Sequence, residues 1–142
     1  MQLLAGKPVL DASTYIPRRD GQIPGLYDGP PSSEALQRHL PTAHVVKVFN
    51  SITYWHLLSL ARPAGAADRS ALPIAGDDPA AKAAVTRFLN AIGYDTVDAG
   101  PLAAGGRRFQ FGTGAFVTPY GGSSDERGTP AGVATIRAAL DL

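Results

Sequence analysis

Residues 71–100 read ALPIAGDDPAAKAAVTRFLNAIGYDTVDAG, and their pattern decides the fold class. Residues 71–76 form a short apolar run that Asp77 and Asp78 end. Asp78 suits a helix N-cap, and Pro79 suits the first helical position, where no backbone N–H is needed. The spacing predicts a helix over 79–92. Ala81, Ala84, Val85, Phe88, Leu89 and Ile92 lie on its apolar stripe, while Lys82, Arg87 and Asn90 lie outside it. Gly93 supplies a left-handed cap, and residues 94–99 read as the next strand. A strand, a helix and a strand in this order predict parallel strands joined by a right-handed crossover.

The same rhythm occurs upstream. KPVLDAS, residues 7–13, is a strand candidate, and a loop rich in Pro and Gly follows from Thr14 to Pro31. Ser33 starts a short helix through Leu40, and HVVKVFN, residues 44–50, is the second strand. A further helix is expected over about Thr53 to Ala61, with Tyr54, Leu57, Leu58 and Ala61 on one stripe. In the tail, RRFQF at 107–111 reads as a short edge strand, and a last helix is expected after Thr129 and Pro130, carrying Val133, Ile136 and Leu140. Strands near 8–12, 44–50, 71–76 and 94–99 alternating with helices give an α/β class, with a mainly parallel sheet of about four strands and flanking helices.

Composition narrows the function classes. Thirteen Lys and Arg against twelve Asp and Glu leave a charge of +1, with no basic run beyond Arg18-Arg19 and Arg107-Arg108, so nucleic acid is not an implied partner. The absence of cysteine excludes disulfide scaffolds, thiolate zinc sites and thiol nucleophiles. His39, His44 and His56 make no familiar ligand set and read as packing or surface residues, so no metal is expected. Met1 to Ala5 is too short for a signal h-region, and no apolar run approaches the roughly 20 residues needed to cross a bilayer. The expectation is a cytoplasmic protein with no membrane partner.

Ligands of open α/β sheets bind outside the carboxyl ends of parallel strands. Four such ends are expected: Ser13 and Thr14, Asn50 and Ser51, Asp77 and Asp78, Asp98 and Gly100. The first two are neutral and rich in donors and acceptors. The Asp77-Asp78 pair stabilises a helix N-terminus but repels a phosphate, so it reads as a cap. Lys47 shares a strand face with Val45 and Phe49; it is either a snorkelling edge residue or a charge positioned near a ligand. Arg18, Arg19 and Asp20 either contact an anionic substrate or solvate their loop, and the loop reading is preferred. Phe109, Phe111, Phe116 and Tyr120 either wall a planar ring or form a flap over the core, and the flap is preferred. No Ser-His-Asp, His-metal or paired-carboxylate constellation appears, so no catalytic residue is assigned.

Four segments, GKPVLDASTYIPRRDG, VVKVFNSI, LPIAGDDPAAKAAV and IGYDTVDAGPL, together resemble the carboxyl-terminal two-thirds of the coenzyme F-420 (deazaflavin) dependent NADP reductase family. Asp11, Pro17, Asp20, Gly21, Lys47, Phe49 and Asn50 match the family pattern; Ser13 stands for Thr, Thr14 for Asn, Val48 for Ala and Ser51 for Thr. The resemblance implies a partial, truncated doubly wound Rossmann-like sheet. Residues 1–106 would be the carboxyl-terminal part of an NADP-binding reductase domain, and residues 107–142 a tail of loop and terminal helix packed on it. It implies that Ser13, Thr14, Lys47, Asn50 and Ser51 lie at the cofactor, with NADP as cofactor, coenzyme F-420 as a candidate and a small-molecule redox substrate.

Family members open with a strand, a G-x-G-x-x-G turn and a helix that hold the NADP pyrophosphate, and this sequence lacks them. GTGAFV at Gly112 fails as a substitute, because the third Gly is missing and Pro119 interrupts the required helix. The chain therefore reads as a family member without its nucleotide-binding half, inactive in isolation, and either a homo-oligomer or bound to a chain that supplies that half. An oxidoreductase transferring hydride between NADP(H) and a deazaflavin is the first function class; a non-catalytic α/β remnant or interaction module is the alternative. Hydride transfer suits a site without a protein nucleophile, since the cofactor carries the reactivity and the protein supplies alignment and water exclusion.

Overall fold

The structure of the protein, a computed structural model, describes residues 2–122 and 124–142; Met1 and Ser123 lie outside the described residues. Four strands form one sheet among those residues: β1 (Pro8–Asp11), β2 (His44–Lys47), β3 (Ala71–Gly76) and β4 (Asp95–Asp98), in spatial order β1-β2-β3-β4. The class is α/β, with a mixed sheet and flanking helices consistent with a Rossmann-like fold. β1 and β2 are parallel, with Asp11 beside Lys47, and β3 and β4 are parallel, with Ala71 beside Asp95.

The middle pair departs from the all-parallel expectation. β2 and β3 run antiparallel, with Val46 opposite Gly76 and Lys47 opposite Ala75. The connecting helix α3 (Tyr54–Ser59) stays at the end of the sheet where β2 finishes, where the Tyr94 hydroxyl just before β4 donates to the Leu57 carbonyl at 2.7 Å. β3 therefore starts at that end and delivers Asp77 and Asp78 to the opposite one, where Asp78 meets His44 at 3.7 Å.

Helix α4 (Pro79–Ile92) forms as its ends require. Asp78 accepts a hydrogen bond from the Ala81 N–H at 2.7 Å, Pro79 sits in the first turn, and Gly93 takes the left-handed conformation at φ 109°. Its buried residues are Ala81, Val85 and Leu89. Phe88, expected in the core, is 46% exposed and meets Phe49 in the turn after β2, their ring centroids 6.4 Å apart. The covered face is narrower than the apolar stripe. α3 shows the same effect: Tyr54 and Leu58 are exposed, Leu57 and Ala61 pack partly buried against the core, and His56 and Leu60 are buried. His56 bonds the Asp125 carbonyl and is a packing residue.

Helices α1 (Pro17–Asp20) and α2 (Ser32–His39) lie between β1 and β2. RRFQF is not a strand. Arg107 ends helix α5 (Leu102–Arg107), and residues 108–111 turn. The Asp77 carboxylate accepts from the Leu102 N–H at 2.8 Å and starts this helix. Gly106 is small because a Cβ there would lie 3.3 Å from Lys47 Cδ. α5 thus covers the Lys47 face of the sheet, while α4 covers the Val46 face, since successive strand residues point to opposite sides. The last helix, α6 (Val133–Ala139), packs on β3 and β4. Phe109, Tyr120, Ile136 and Leu140 join the main core cluster, so the tail completes the core and leaves β1 as an edge.

Candidate functional site

Because β1 and β2 are parallel neighbours, their carboxyl ends open on the same side. Beyond β2 the chain turns sharply at Phe49, whose φ is +68°. A bulky residue with positive φ is a rare conformation that costs of order 1 kcal/mol or more and needs surrounding support. Phe49 meets Phe88, and Asn50 is held as the next residue by a hydrogen bond from its Nδ2 to the Phe109 carbonyl at 2.9 Å. α5 makes that bond possible, since it carries the chain from the far end of the sheet back to this one.

A pocket of about 280 Å³ lies here, lined among others by Thr14, Tyr27, Lys47, Asn50, Arg107 and Phe111. Thr14 Oγ1 donates to the Asn50 carbonyl at 3.5 Å, which joins the two strand ends. Asn50 is 5% exposed, and its Oδ1 has no hydrogen-bond partner among the described residues. A buried acceptor left unpaired costs about 1–3 kcal/mol.

Lys47 is 2% exposed, which rules out the snorkelling reading. Its Nζ donates to Ser33 Oγ at 3.2 Å, and Ser33 donates to Asp11 Oδ2 at 2.6 Å. Asp11 is also the cross-strand neighbour of Lys47, and its Oδ1 accepts from the Ser13 N–H at 2.9 Å. Burial lowers the Lys47 ammonium below its ordinary pKa, and the attraction of Asp11 opposes that shift. Ser33 is fully buried beneath Lys47, so it serves as a bridge between the charges and is closed to attack on a substrate.

Of the five residues expected at a cofactor, Thr14, Lys47 and Asn50 come together around the pocket, and Ser13 and Ser51 do not line it. Ser13 is exposed, with its backbone turned to cap Asp11. Ser51 is fully buried and faces away, because the turn at Phe49 aims Asn50 at the pocket; the Ser51 carbonyl instead accepts from the Val117 N–H at 2.9 Å. Asp77 and Asp78 stand at the other end of the sheet, Asp78 beside His44.

The neighbouring expectations divide. Arg19 pairs with Asp20 at 2.6 Å and donates to the Thr14 carbonyl at 2.6 Å, so this cluster holds its own loop, as preferred. The Asp20 carboxyl is pulled down to about 2 by the Arg19 hydrogen bond and by the Ile16 N–H. Phe109 and Tyr120 cover the core, whereas Phe111 walls the pocket. GTGAFV lies in turns and runs directly into a short 3-10 turn at Thr118–Tyr120, not into an α-helix. Sequence reasoning missed Asp11 and Ser33, as well as Tyr15, Tyr27, Arg107 and Gln110 at the pocket. The usable signal was that an aspartate and a lysine sit near the ends of two strands expected to pair. Among the described residues no group of three His, Asp or Glu is placed to hold a metal, and no helix is long and apolar enough to cross a membrane.

No family model and no curated protein matches this chain. Solved structures do. The chain is similar to a provisionally assigned F420-dependent NADP reductase from Arthrobacter sp. FB24, with 30% identity and a TM-score of 0.56 over 71% of this chain and 46% of that one. It is also similar to a hypothetical protein from Sinorhizobium meliloti, with 30% identity and a TM-score of 0.62 over 76% of this chain and 51% of that one. The chain spans about half the length of each of these two structures. These likenesses support, at the level of family resemblance, the relation to F420-dependent NADP reductases carried by the four sequence segments.

Proposed function

We propose that this chain carries the redox-ring site of an NADP(H)-dependent oxidoreductase, one that passes hydride between NADP(H) and a deazaflavin such as coenzyme F-420 or a similar small-molecule partner. The observation that carries this reading is the meeting of two separate resembling segments, 6–21 and 45–52, at one pocket. There Thr14 and Asn50 touch and Asn50 keeps a buried, unpaired Oδ1. A planar conjugated ring with an N–H on its edge fits the donors, acceptors and aromatic walls present. Bound NADP(H) would supply the hydride. Asn50 and Thr14 would orient the ring, Phe111 and Tyr27 would exclude water from its face, and Lys47 would meet its polar edge.

Asn50→Ala is expected to lower stability by about 1–3 kcal/mol through loss of the bond to the Phe109 carbonyl and, in the folded protein, to weaken binding of oxidised coenzyme F-420 by about 1–3 kcal/mol, the cost of an unmatched polar partner. Calorimetric titration of both proteins measures it. A variant that unfolds readily but binds normally when folded would make Asn50 a structural cap.

The non-catalytic alternative rests on the turn structure of GTGAFV, which offers no phosphate cradle. NADPH separates the two readings, since micromolar binding supports the oxidoreductase and no binding at millimolar cofactor supports the module. For partners, β1 bears on the question. Among the described residues it pairs with β2 alone, and Leu10 is 37% exposed. Such an edge recruits a further strand, here from a second copy or from a chain carrying a nucleotide-binding half. Light scattering at micromolar concentration should show association; a monomer with amides 9–11 all protected from hydrogen exchange would argue against it.

A further inference from the structure

The two charges beneath the pocket are unequally satisfied. Lys47 and Asp11, both at least nine-tenths buried, are joined through the Ser33 hydroxyl. Removing charges from water is repaid only when their hydrogen-bonding capacity is also used. The Asp11 carboxylate is well supplied, since Oδ2 accepts from Ser33 Oγ at 2.6 Å and Oδ1 from the Ser13 N–H at 2.9 Å. Lys47 is not. Its ammonium has three N–H donors, and the bond to Ser33 is the only one its Nζ makes among the described residues. The other ionisable residues that line the pocket are Tyr15, Tyr27, Asp28 and Arg107. The Tyr15 hydroxyl is spent on the Gly21 carbonyl at 2.8 Å, and Tyr27 is half exposed. Asp28 and Arg107 are exposed and opposite in sign, with Arg107 donating to the Gly29 carbonyl at 3.3 Å, and water weakens both. The charge that remains effective inside the pocket is the positive one of Lys47, buried where little water screens it.

Resting on the redox-ring reading above, we infer that this pocket selects its ring by charge: Lys47 admits a ring anion, so of the two rings in the proposed reaction the pocket takes the deazaflavin and turns away the nicotinamide. The deazaflavin ring carries negative charge near neutral pH in its oxidised form and in its reduced form alike. The attraction therefore acts in both redox states; it decides which ring enters and leaves the direction of hydride transfer alone. The nicotinamide is neutral when reduced and a cationic pyridinium when oxidised. The buried ammonium gains little from the first and repels the second. Specificity needs a penalty against the wrong ligand as well as an attraction for the right one, and a single fixed charge supplies both. A ring anion beside Lys47 also offsets the burial that disfavours its charged form. Ser33 and Asp11 touch no ligand in this scheme; they are positioning residues that hold Lys47 from the side away from the pocket.

The ring reports its own charge, because its protonated and anionic forms differ in visible absorbance. The test is a spectrophotometric pH titration of oxidised coenzyme F-420, free and at saturation with the full chain. The wild type is expected to bind the anionic ring about tenfold or more tightly than the protonated one, so the bound ring loses its proton about one pH unit or more below the free ring. Lys47→Met should bring the two affinities within about twofold, and Ser33→Ala should narrow the gap part of the way. A Lys47 that served packing alone would leave the ring's titration where it is in free solution. If Lys47→Met does not fold, the wild type and Ser33→Ala decide. The cation 1-methylnicotinamide, added at millimolar concentration, should not displace the ring from the wild type. A bound ring that titrates with the free one, a lowering that survives Lys47→Met unchanged, or displacement by 1-methylnicotinamide overturns the inference and leaves the ring site standing. Failure of the wild type to bind coenzyme F-420 at millimolar concentration overturns both.

Discussion

Replacing Arg69 by Met is expected to destabilise the protein by about 3–5 kcal/mol, the scale for removing one partner from a buried charged network. Arg69 is 6% exposed. Its guanidinium donates to the Arg62 carbonyl at 2.6 Å, the Asn90 carbonyl at 3.1 Å and side-chain oxygen at 2.7 Å, and the Tyr94 carbonyl at 3.0 Å, and it pairs with Asp95 at 2.8 Å. One planar fork therefore ties the loop before β3 to the end of α4 and the start of β4. The Asp95 carboxylate is 45% exposed and adds little. The carbonyls left without a donor supply most of the loss, at about 1–3 kcal/mol each where water cannot replace it. Arg69→Lys should recover only a minor part, because a point charge with three donors does not span this set. Urea denaturation measures all three proteins; a loss below about 1 kcal/mol for Arg69→Met would show that water reaches those carbonyls.

Leu89→Ala should cost about 2–5 kcal/mol, whereas Phe88→Ala should cost only about 1 kcal/mol, although Phe is the larger side chain. Leu89 is fully buried beneath the sheet; Phe88 is 46% exposed and keeps one edge contact with Phe49. Thermal unfolding of the two variants checks the order. The reverse order would mean that α4 is rotated about its axis, with Phe88 turned toward the sheet and Leu89 toward solvent.

That contrast shows what the sequence could and could not reveal. The bounds of α4 were legible because Asp78, Pro79 and Gly93 act within one turn of their own positions. Its exact buried arc was not, because Phe88 and Leu89 are adjacent and equally apolar, and only the sheet beneath distinguishes them. The α3 stripe was half placed: Leu57 and Ala61 pack against the core, whereas Tyr54 and Leu58 are exposed, because six residues are too few for periodicity to fix a phase. The reversal between β2 and β3 left no local trace, since an apolar run reads alike in either direction.

At the site, Thr14 and Asn50 could be placed together once β1 and β2 were taken as parallel neighbours. The other wall could not. It depends on α5, whose sequence LAAGGR contains two glycines and carries weak helical propensity. Packing overrides that weakness, because Gly106 lies against the Lys47 stem. The burial of Lys47 was equally hidden, since its bridge to Asp11 is Ser33, a residue that reads as an ordinary helix start.

The central claim is that the pocket at the carboxyl ends of β1 and β2 receives a redox-active ring. Backbone amide chemical shifts of the wild-type chain, followed by NMR during titration with oxidised coenzyme F-420, test it most directly. The predicted result is a saturable set of shifts centred on Thr14, Lys47, Asn50 and Phe111. Shifts centred instead on His44, Asp77 and Asp78 at the opposite end of the sheet, or no shifts at millimolar ligand, would contradict it.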